Sequence, residues 1–436
     1  MASILFQWAS DACRTIIPPL HERIPVSKGH WPYALLPLPP FILMAYLARR
    51  PDTYTLRILL LPIVLTLAVG TAFRFTWIRP EFNVYNWGQA LVAEVISTKA
   101  IDYAWRREGM LKNEELTPGK LEHSSEQCNG AAAWSQDKTP RSCLRLLPSC
   151  LYDAFELIFS MRGLGWKYGI GIHVPREYRP SERTAFLWST SITFFKSMLV
   201  FDFLESLIKL VPGVGSPQGG TIFLTNLLWP QRLVLSILIH LSTSCCILAG
   251  FEMVYSLVTL FSVIIVGSPS TAWPPILDNP WQSDSLHTFW AKRWHQVLRQ
   301  TFFVLGGYPG RALAGNYGMI LGTFIGSGLY HECAAYAMGL GFDFRVFAFF
   351  AGQAPLLCIE KTWAKVTGHR VGGIYGRLWV YFCVLIMGLP LADSWHTRGL
   401  GGALIVPPSI SLVRRIAFPL FKRMAVGTGI DLFVSS

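Results

Sequence analysis

The chain is short of charge. Of its 436 residues only 15% are Asp, Glu, Lys or Arg, against 52% hydrophobic and 14% aromatic. Soluble domains carry roughly a quarter charged residues, so the deficit excludes an ordinary one- or two-domain soluble protein. It points instead to a chain that crosses a bilayer many times. Acid is scarcer than base: 38 Lys and Arg face 26 Asp and Glu, a net charge of +12. In a water-soluble protein that surplus would suggest nucleic acid. In so apolar a chain, basic loops facing an anionic leaflet explain it, and no nucleic-acid partner is implied. The nine cysteines never fall in a Cys-x-x-Cys or Cys/His ligand spacing, which argues against a metal site or a disulfide framework. No Asn-x-Ser/Thr acceptor occurs, as small lumenal loops would allow. The start, MASILFQWASDACR, has neither a basic leader nor a small-residue cleavage site, so no removable signal peptide is read. Nor is there a visible internal repeat, which weakens a transporter built from inverted halves.

What the chain does have is apolar runs. The clearest are Trp31–Ala48, Ile58–Phe73, Thr184–Val200, Leu233–Gly250, Met253–Val266, Asn316–Leu340, Phe344–Ile359 and Leu378–Leu391. Weaker ones are Trp87–Ala104, Phe201–Val211 and Leu400–Phe421. Several fall short of the roughly 20 residues an untilted helix needs to cross. The expectation is an all-α, single-domain polytopic membrane protein over 1–436, with about eight to ten spans. The polar stretch from Trp105 to Cys150 reads as a flexible cytoplasmic loop. Lys and Arg counts put Arg49–Arg57, Trp105–Arg183 and Lys361–Arg377 on the cytoplasmic side. Strict alternation then sends the basic segment around residue 290 to the lumen. That conflict calls for a re-entrant or split segment.

This segment, DSLHTFWAKRWHQVLRQTF from Asp284 to Phe302, gathers aromatic and cationic residues between apolar neighbours. As a helix over Ser285–Phe302, capped by Asp284 or Ser283, it would put Trp290, Arg293, Trp294 and Val297 on one face. His295, Arg299 and Phe302 would form the next stripe. The bland interpretation is a juxtamembrane amphipathic helix with interfacial Trp and snorkelling cations. Downstream, His331 and Glu332 interrupt the uncharged run Asn316–Leu340. An ionisable group at that depth costs roughly 2.5–3.5 kcal/mol, so it faces a cavity or a partner. Gly326 and Gly328 permit close helix approach just before it. By position alone His240 is its equal. Either histidine could serve as a general base, and His295 or Trp294 could hold a carbonyl oxygen as charge develops on it.

Together, the SLHTFWAKRWH stretch (Ser285, Leu286, Phe289, Trp290, Arg293, Trp294, His295) and the later GSGLYHE with His331 resemble the membrane-bound O-acyltransferase superfamily, wax synthase branch. RGLGW, from Arg162 to Trp166, is similar to an upstream stretch of that branch. The tight resemblance covers about 275–340. It implies a catalytic region there and tilted helices around an intramembrane reaction tunnel. It implies His331 as catalytic base with His295 assisting, and Trp294, Arg293, Trp290, Arg299 and Arg162, with Lys292, as candidates for substrate or CoA contact. It also implies acyl-CoA, acetyl-CoA included, as co-substrate with no bound cofactor. A lipophilic alcohol would be the acceptor, the lipid bilayer the surroundings, and the endoplasmic reticulum the compartment. In length and in its long polar early loop the chain resembles fungal terpenoid and meroterpenoid O-acetyltransferases. The alternatives are a long-chain wax ester synthase and, more distantly, a proton-coupled transporter using His240, His331 and Glu332.

Overall fold

The structure, a computed structural model, describes residues 14–121 and 148–420. It is a bundle of long helices with two small two-stranded ribbons. The helices are α1 (Leu38–Ala48), α2 (Tyr54–Arg74), α3 (Asn83–Trp105), α4 (Ser149–Phe159), α5 (Arg183–Lys209), α6 (Trp229–Phe261), α7 (Leu286–Thr288), α8 (Arg299–Phe302), α9 (Tyr308–Ala337), α10 (Arg345–Thr367), α11 (Gly373–Tyr381) and α12 (Leu389–Thr397). Four helical stretches are long and apolar enough to cross a membrane: Lys28–Ala48, Tyr54–Arg74, Trp229–Val266 and Gly373–Thr397. Four more, α3, α5, α10 and the part of α9 beyond its break at Ala314 and Gly315 (residues 316–337), are of comparable length but carry more polar groups. Among the described residues that makes eight rods of spanning length, within the expected range. The chain is a polytopic membrane protein.

α2 illustrates the local logic. Its Leu/Ile/Val-rich 21 residues measure about 31 Å at 1.5 Å per residue, the thickness of a bilayer's hydrocarbon core. Leu56, Leu59 and Ile63 face outward while Val64, Ala68 and Ala72 are buried. Small residues pack inward because neighbouring helices approach there, and large ones face lipid.

Two pairs of separately read runs are single helices. Thr184–Val200 and Phe201–Val211 lie in α5, and Leu233–Gly250 and Met253–Val266 lie in α6 and its terminal π turn. Only Phe251 and Glu252 part the latter two runs, and one carboxylate does not stop a helix. The resulting 38-residue rod is about 57 Å long and must project beyond the hydrocarbon. With only α5 and α6 between Arg183 and the segment around residue 290, the topological conflict disappears. The segment around residue 290 returns to the end of the bundle that carries Arg49–Arg57 and Trp105–Arg183. Hydrogen bonds stitch that end together: Arg57 to the Arg106 carbonyl at 2.8 Å, Gln300 to Asp102 at 2.8 Å, and Arg162 to the Pro275 carbonyl at 2.8 Å.

Of the stretch read as a flexible loop, residues 106–121 are folded, including the ribbon of Glu115–Thr117 and Lys120–Leu121. The Arg49 guanidinium, 2% exposed, grips Glu115 through two bonds of 2.6 and 2.8 Å. Burial alone would raise the Glu115 pKa, but hydrogen bonds from Arg49 and from the Lys112 and Gly119 amides hold it below the usual carboxylate range. Residues 122–147 lie outside the described residues.

Candidate functional site

The segment expected to be one helix over Ser285–Phe302 is broken. Ser285, not Asp284 or Ser283, caps α7, its hydroxyl accepting from the Thr288 amide at 3.1 Å. The remaining free amides of Leu286 and His287 donate to Glu360 of α10 at 2.6 and 3.1 Å. A π turn over Phe289–Arg293 follows, and Trp294 is extended (φ −72°, ψ 152°) before the chain resumes as α8. The break re-aims side chains that a straight helix would have aligned. Gln296 holds it open, donating to the Trp290 and Trp294 carbonyls at 3.0 and 2.9 Å. The expected shared face of Trp290, Arg293, Trp294 and Val297 is thereby lost.

Glycines bring this broken segment against α9. The chain reverses at Ala314 and Gly315, where Gly315 takes φ 58°. Gly306 and Gly310 then lie backbone to backbone on Gly322 and Gly318. A Cβ on Gly310 would sit 2.1 Å from the Gly318 carbonyl oxygen, so no larger residue fits. Gly326 abuts Leu305, and a Cβ on Gly328 would stand 2.9 Å from Phe347, the close approach that the sequence suggested.

The consequence is that both motif histidines share one aromatic cage. Phe350 of α10 stacks on His331 at 4.0 Å, and Phe302 lies 5.8 Å from it. Phe350 touches Trp290 at 6.3 Å, Trp290 touches Trp294 at 6.3 Å, and Trp294 touches His295 at 4.9 Å. Phe251 of α6 closes the far side of His295 at 4.4 Å. His295 and His331 lie within electrostatic reach of each other. Both keep partial exposure. His331 Nδ1 lies 2.7 Å from the Ser327 carbonyl oxygen one turn back. A carbonyl only accepts, so Nδ1 carries the proton and Nε2 presents a lone pair. His295 Nδ1 is buried with no partner among the described residues.

The other sequence candidates divide. Trp290 donates to Gln353 at 3.1 Å and forms cage wall with Trp294. Arg293 is turned to the Asp278 and Asn279 carbonyls at 2.8 and 3.2 Å. Arg162, 8% exposed, binds the Pro274 and Pro275 carbonyls and the Tyr255 hydroxyl. Arg162 and Arg293 therefore tie the loops entering the motif and are not open cations. Burial lowers the Arg162 pKa. Arg299 lies 4.5 Å over Phe303, and Lys292 is exposed. Glu332 is turned away from His331 and caps α10, accepting from Asp343 N at 3.1 Å and Phe347 N at 3.2 Å. His240 is 4% exposed and bonded to the Leu385 carbonyl at 2.9 Å.

Sequence reasoning passed over Glu360, Gln353 and Gln296, which shape the motif. Glu360 and Gln353 had a signal, being polar in a long apolar stretch. Phe350 had none. Also unforeseen is a surface cleft of about 270 Å³ lined by Arg106, Arg107, Glu108, Gly109, Met110, Leu111, Lys167 and Tyr168.

Residues 273–352 match the model of the membrane bound O-acyl transferase family. The chain is 29% identical to the acetyltransferase aurG of Calcarisporium arbuscula over 47% of this chain and 53% of that protein. It is 25% identical to the O-mevalon transferase yanI of Aspergillus niger over 53% and 58%. With the acetyltransferase sirH of Emericella nidulans it shares 24% identity over 89% and 90%. The alignments thus span little more than half of the first two relatives and nearly all of the third. The segment matched by that family model holds both caged histidines.

Proposed function

We propose that this protein is an acyl-CoA-dependent O-acyltransferase that moves an acetyl group from acetyl-CoA to a hydroxyl of a lipophilic, terpenoid-type alcohol. The observation that carries the reading is the tautomer of His331. With Nδ1–H donated to Ser327 O, Nε2 is a free base inside a cage of aromatic rings. In the reaction Nε2 takes the proton of the alcohol as its oxygen attacks the thioester carbonyl. The carbonyl oxygen gains negative charge in the tetrahedral intermediate and needs a donor. His295 supplies one. Its Nδ1 is buried without a partner among the described residues, and an orphaned buried N–H is rarer than an orphaned lone pair, so the proton sits on Nε2. As the intermediate collapses, the C–S bond breaks and the CoA thiolate takes the proton from the His331 imidazolium, restoring the base.

The two substrates suit a cage in the bilayer. CoA phosphates do not enter hydrocarbon, so the donor comes from the basic, cytosolic end, while the alcohol arrives laterally from lipid. The relatives named acetyltransferases support acetyl over a long acyl chain, and the endoplasmic reticulum is the compartment this reading assigns.

The test is acyl transfer in microsomes supplied with labelled acetyl-CoA or palmitoyl-CoA and a panel of terpenoid and fatty alcohols. Acetyl ester on a terpenoid, lost in His331→Ala at equal protein level, is the expected result. Long-chain esters instead would return the protein to wax synthesis. Activity surviving in His331→Ala would remove His331 as the base.

A further inference from the structure

Of the four cations that the sequence offered for the donor's phosphates, three have other work, since Arg162 and Arg293 bind loop carbonyls and Arg299 covers Phe303, and only Lys292 stays exposed. A different basic site stands at the same end of the bundle. The cleft after α3 presents Arg106, Arg107 and Lys167 against a single acid, Glu108, a local charge of 3 − 1 = +2. Arg107 and Lys167 are exposed, and neither has a carboxylate partner among the described residues. Arg107 lies 5.8 Å from the centre of the Tyr54 ring.

The floor of the cleft is rigid. The Met110 amide donates to Ala48 O at 2.8 Å, the Lys167 amide to Leu111 O at 3.0 Å, and the Asn113 amide to Gly165 O at 3.0 Å. Gly109 takes φ 80°, and a Cβ there would lie 2.5 Å from the Ala48 carbonyl oxygen. The cleft is also wired to the cage. Asp102 accepts from Arg106 Nε at 2.8 Å and from Gln300 Nε2 at 2.8 Å. Two residues beyond Gln300, Phe302 lies against His331. Ligand pockets usually enclose about 300–1,000 Å³; at about 270 Å³ this cleft suits one end of a ligand whose other end lies elsewhere.

We infer that this cleft holds the nucleotide end of the acyl donor, with Arg107 and Lys167 on its phosphates and Arg106 fixed beside them by Asp102. The inference rests on the acyl-CoA reading above. A phosphate of a lipid headgroup has the same chemistry, so the experiment must separate the two sources.

The double variant Arg107→Ala/Lys167→Ala is compared with the parent chain on two donors, acetyl-CoA and S-acetylpantetheine, which lacks the nucleotide. The readout is the ratio of kcat/KM for the first over the second. That ratio falls by about tenfold or more, the weight of a lost charge-assisted hydrogen bond, and Arg107→Lys/Lys167→Arg recovers much of it. A misfolded variant would lower both donors together and leave the ratio in place, so an unchanged ratio overturns the proposal. Direct binding of labelled adenosine 3′,5′-bisphosphate supplies a readout independent of catalysis. Binding to the parent chain and its loss in the double variant support the site. Displacement by phosphatidylserine vesicles but not by unlabelled bisphosphate would make the cleft a headgroup site and overturn it. If the parent chain acetylates nothing yet binds the bisphosphate there, the acyl-transfer reading falls and the nucleotide site stands.

Discussion

Two pairs of histidines lie deep in this bundle, and by position alone the sequence treats His240 and His331 alike. His240 and His331 each sit alone in an apolar run. Each donates through Nδ1 to a backbone carbonyl, Leu385 O for one and Ser327 O for the other. Each has a second histidine in electrostatic reach, His396 and His295 respectively. The difference is in what surrounds the remaining atoms. His396 is fully buried, its Nε2 2.8 Å from the Thr243 hydroxyl. His240 presses so closely on Gly388 that a Cβ there would lie 2.5 Å from its Cε1. His331 and His295 are instead lined by ring faces at 4.0 to 5.8 Å and keep partial exposure. Ring faces exclude water without using a nitrogen's lone pair. Close backbone contact fills the space that a substrate would need. One pair is packed against backbone and a hydroxyl, and the other is walled by aromatic rings.

The sharpest way to break this comparison is to delete the two bases in parallel. His331→Ala removes acyl transfer by a factor on the order of 10²–10⁴, the usual contribution of a positioned general base, while immunoblots show equal protein. His240→Ala at matched protein retains transfer; if it were the more damaging change per folded molecule, the division proposed here would be wrong. Next in size is the assisting histidine. His295→Ala lowers kcat by about 10²–10³, as loss of one oxyanion donor does, with a smaller effect on KM for either substrate. A larger effect on KM than on kcat would make His295 a binding residue instead.

Third, removing His240 leaves the Leu385 carbonyl without its donor inside the bundle, a penalty of about 1–3 kcal/mol. That loss appears as a lower melting temperature in detergent. No such drop would show that the histidine is dispensable to packing too.

The smallest effect belongs to the connection between α9 and α10, at the His396 end. Burial would raise the Asp343 pKa, but hydrogen bonds from Arg398 at 2.9 Å, Ser394 at 2.7 Å and Arg345 at 2.8 Å outweigh it and hold the carboxyl far below its usual range. A depressed folded pKa stabilises the fold above the unfolded value of about 3.9, and the gain is lost as pH falls from there toward the folded pKa. Melting temperature therefore drops on acidification below about pH 4, less so in Asp343→Asn. An equal acid sensitivity in both proteins would place the titrating group elsewhere.

Much of this was readable before any coordinate. Charge deficit and run length gave the membrane class, because a bilayer demands apolar residues over a fixed length. The motif residues and His331 stood out because polar chemistry in an apolar run needs a reason. Other features were not readable. That Leu233–Gly250 and Met253–Val266 join into one rod depends on a helix continuing through Glu252, a choice made by packing against α5. That the expected helix breaks at Trp294 depends on Gln296 and on Glu360, which is about 60 to 75 residues distant in the chain.

The sequence by itself determined that this is a helical membrane protein with two motif histidines, since composition and residue type follow local rules of solvation. Tertiary structure alone decided which histidines lie against aromatic rings and which against backbone, which cations are already bonded and where an open basic cleft remains. Those are questions of what lies on the other side of each side chain. Only the approach of distant helices, Gly310 on Gly318 and Phe350 on His331, supplies the answer.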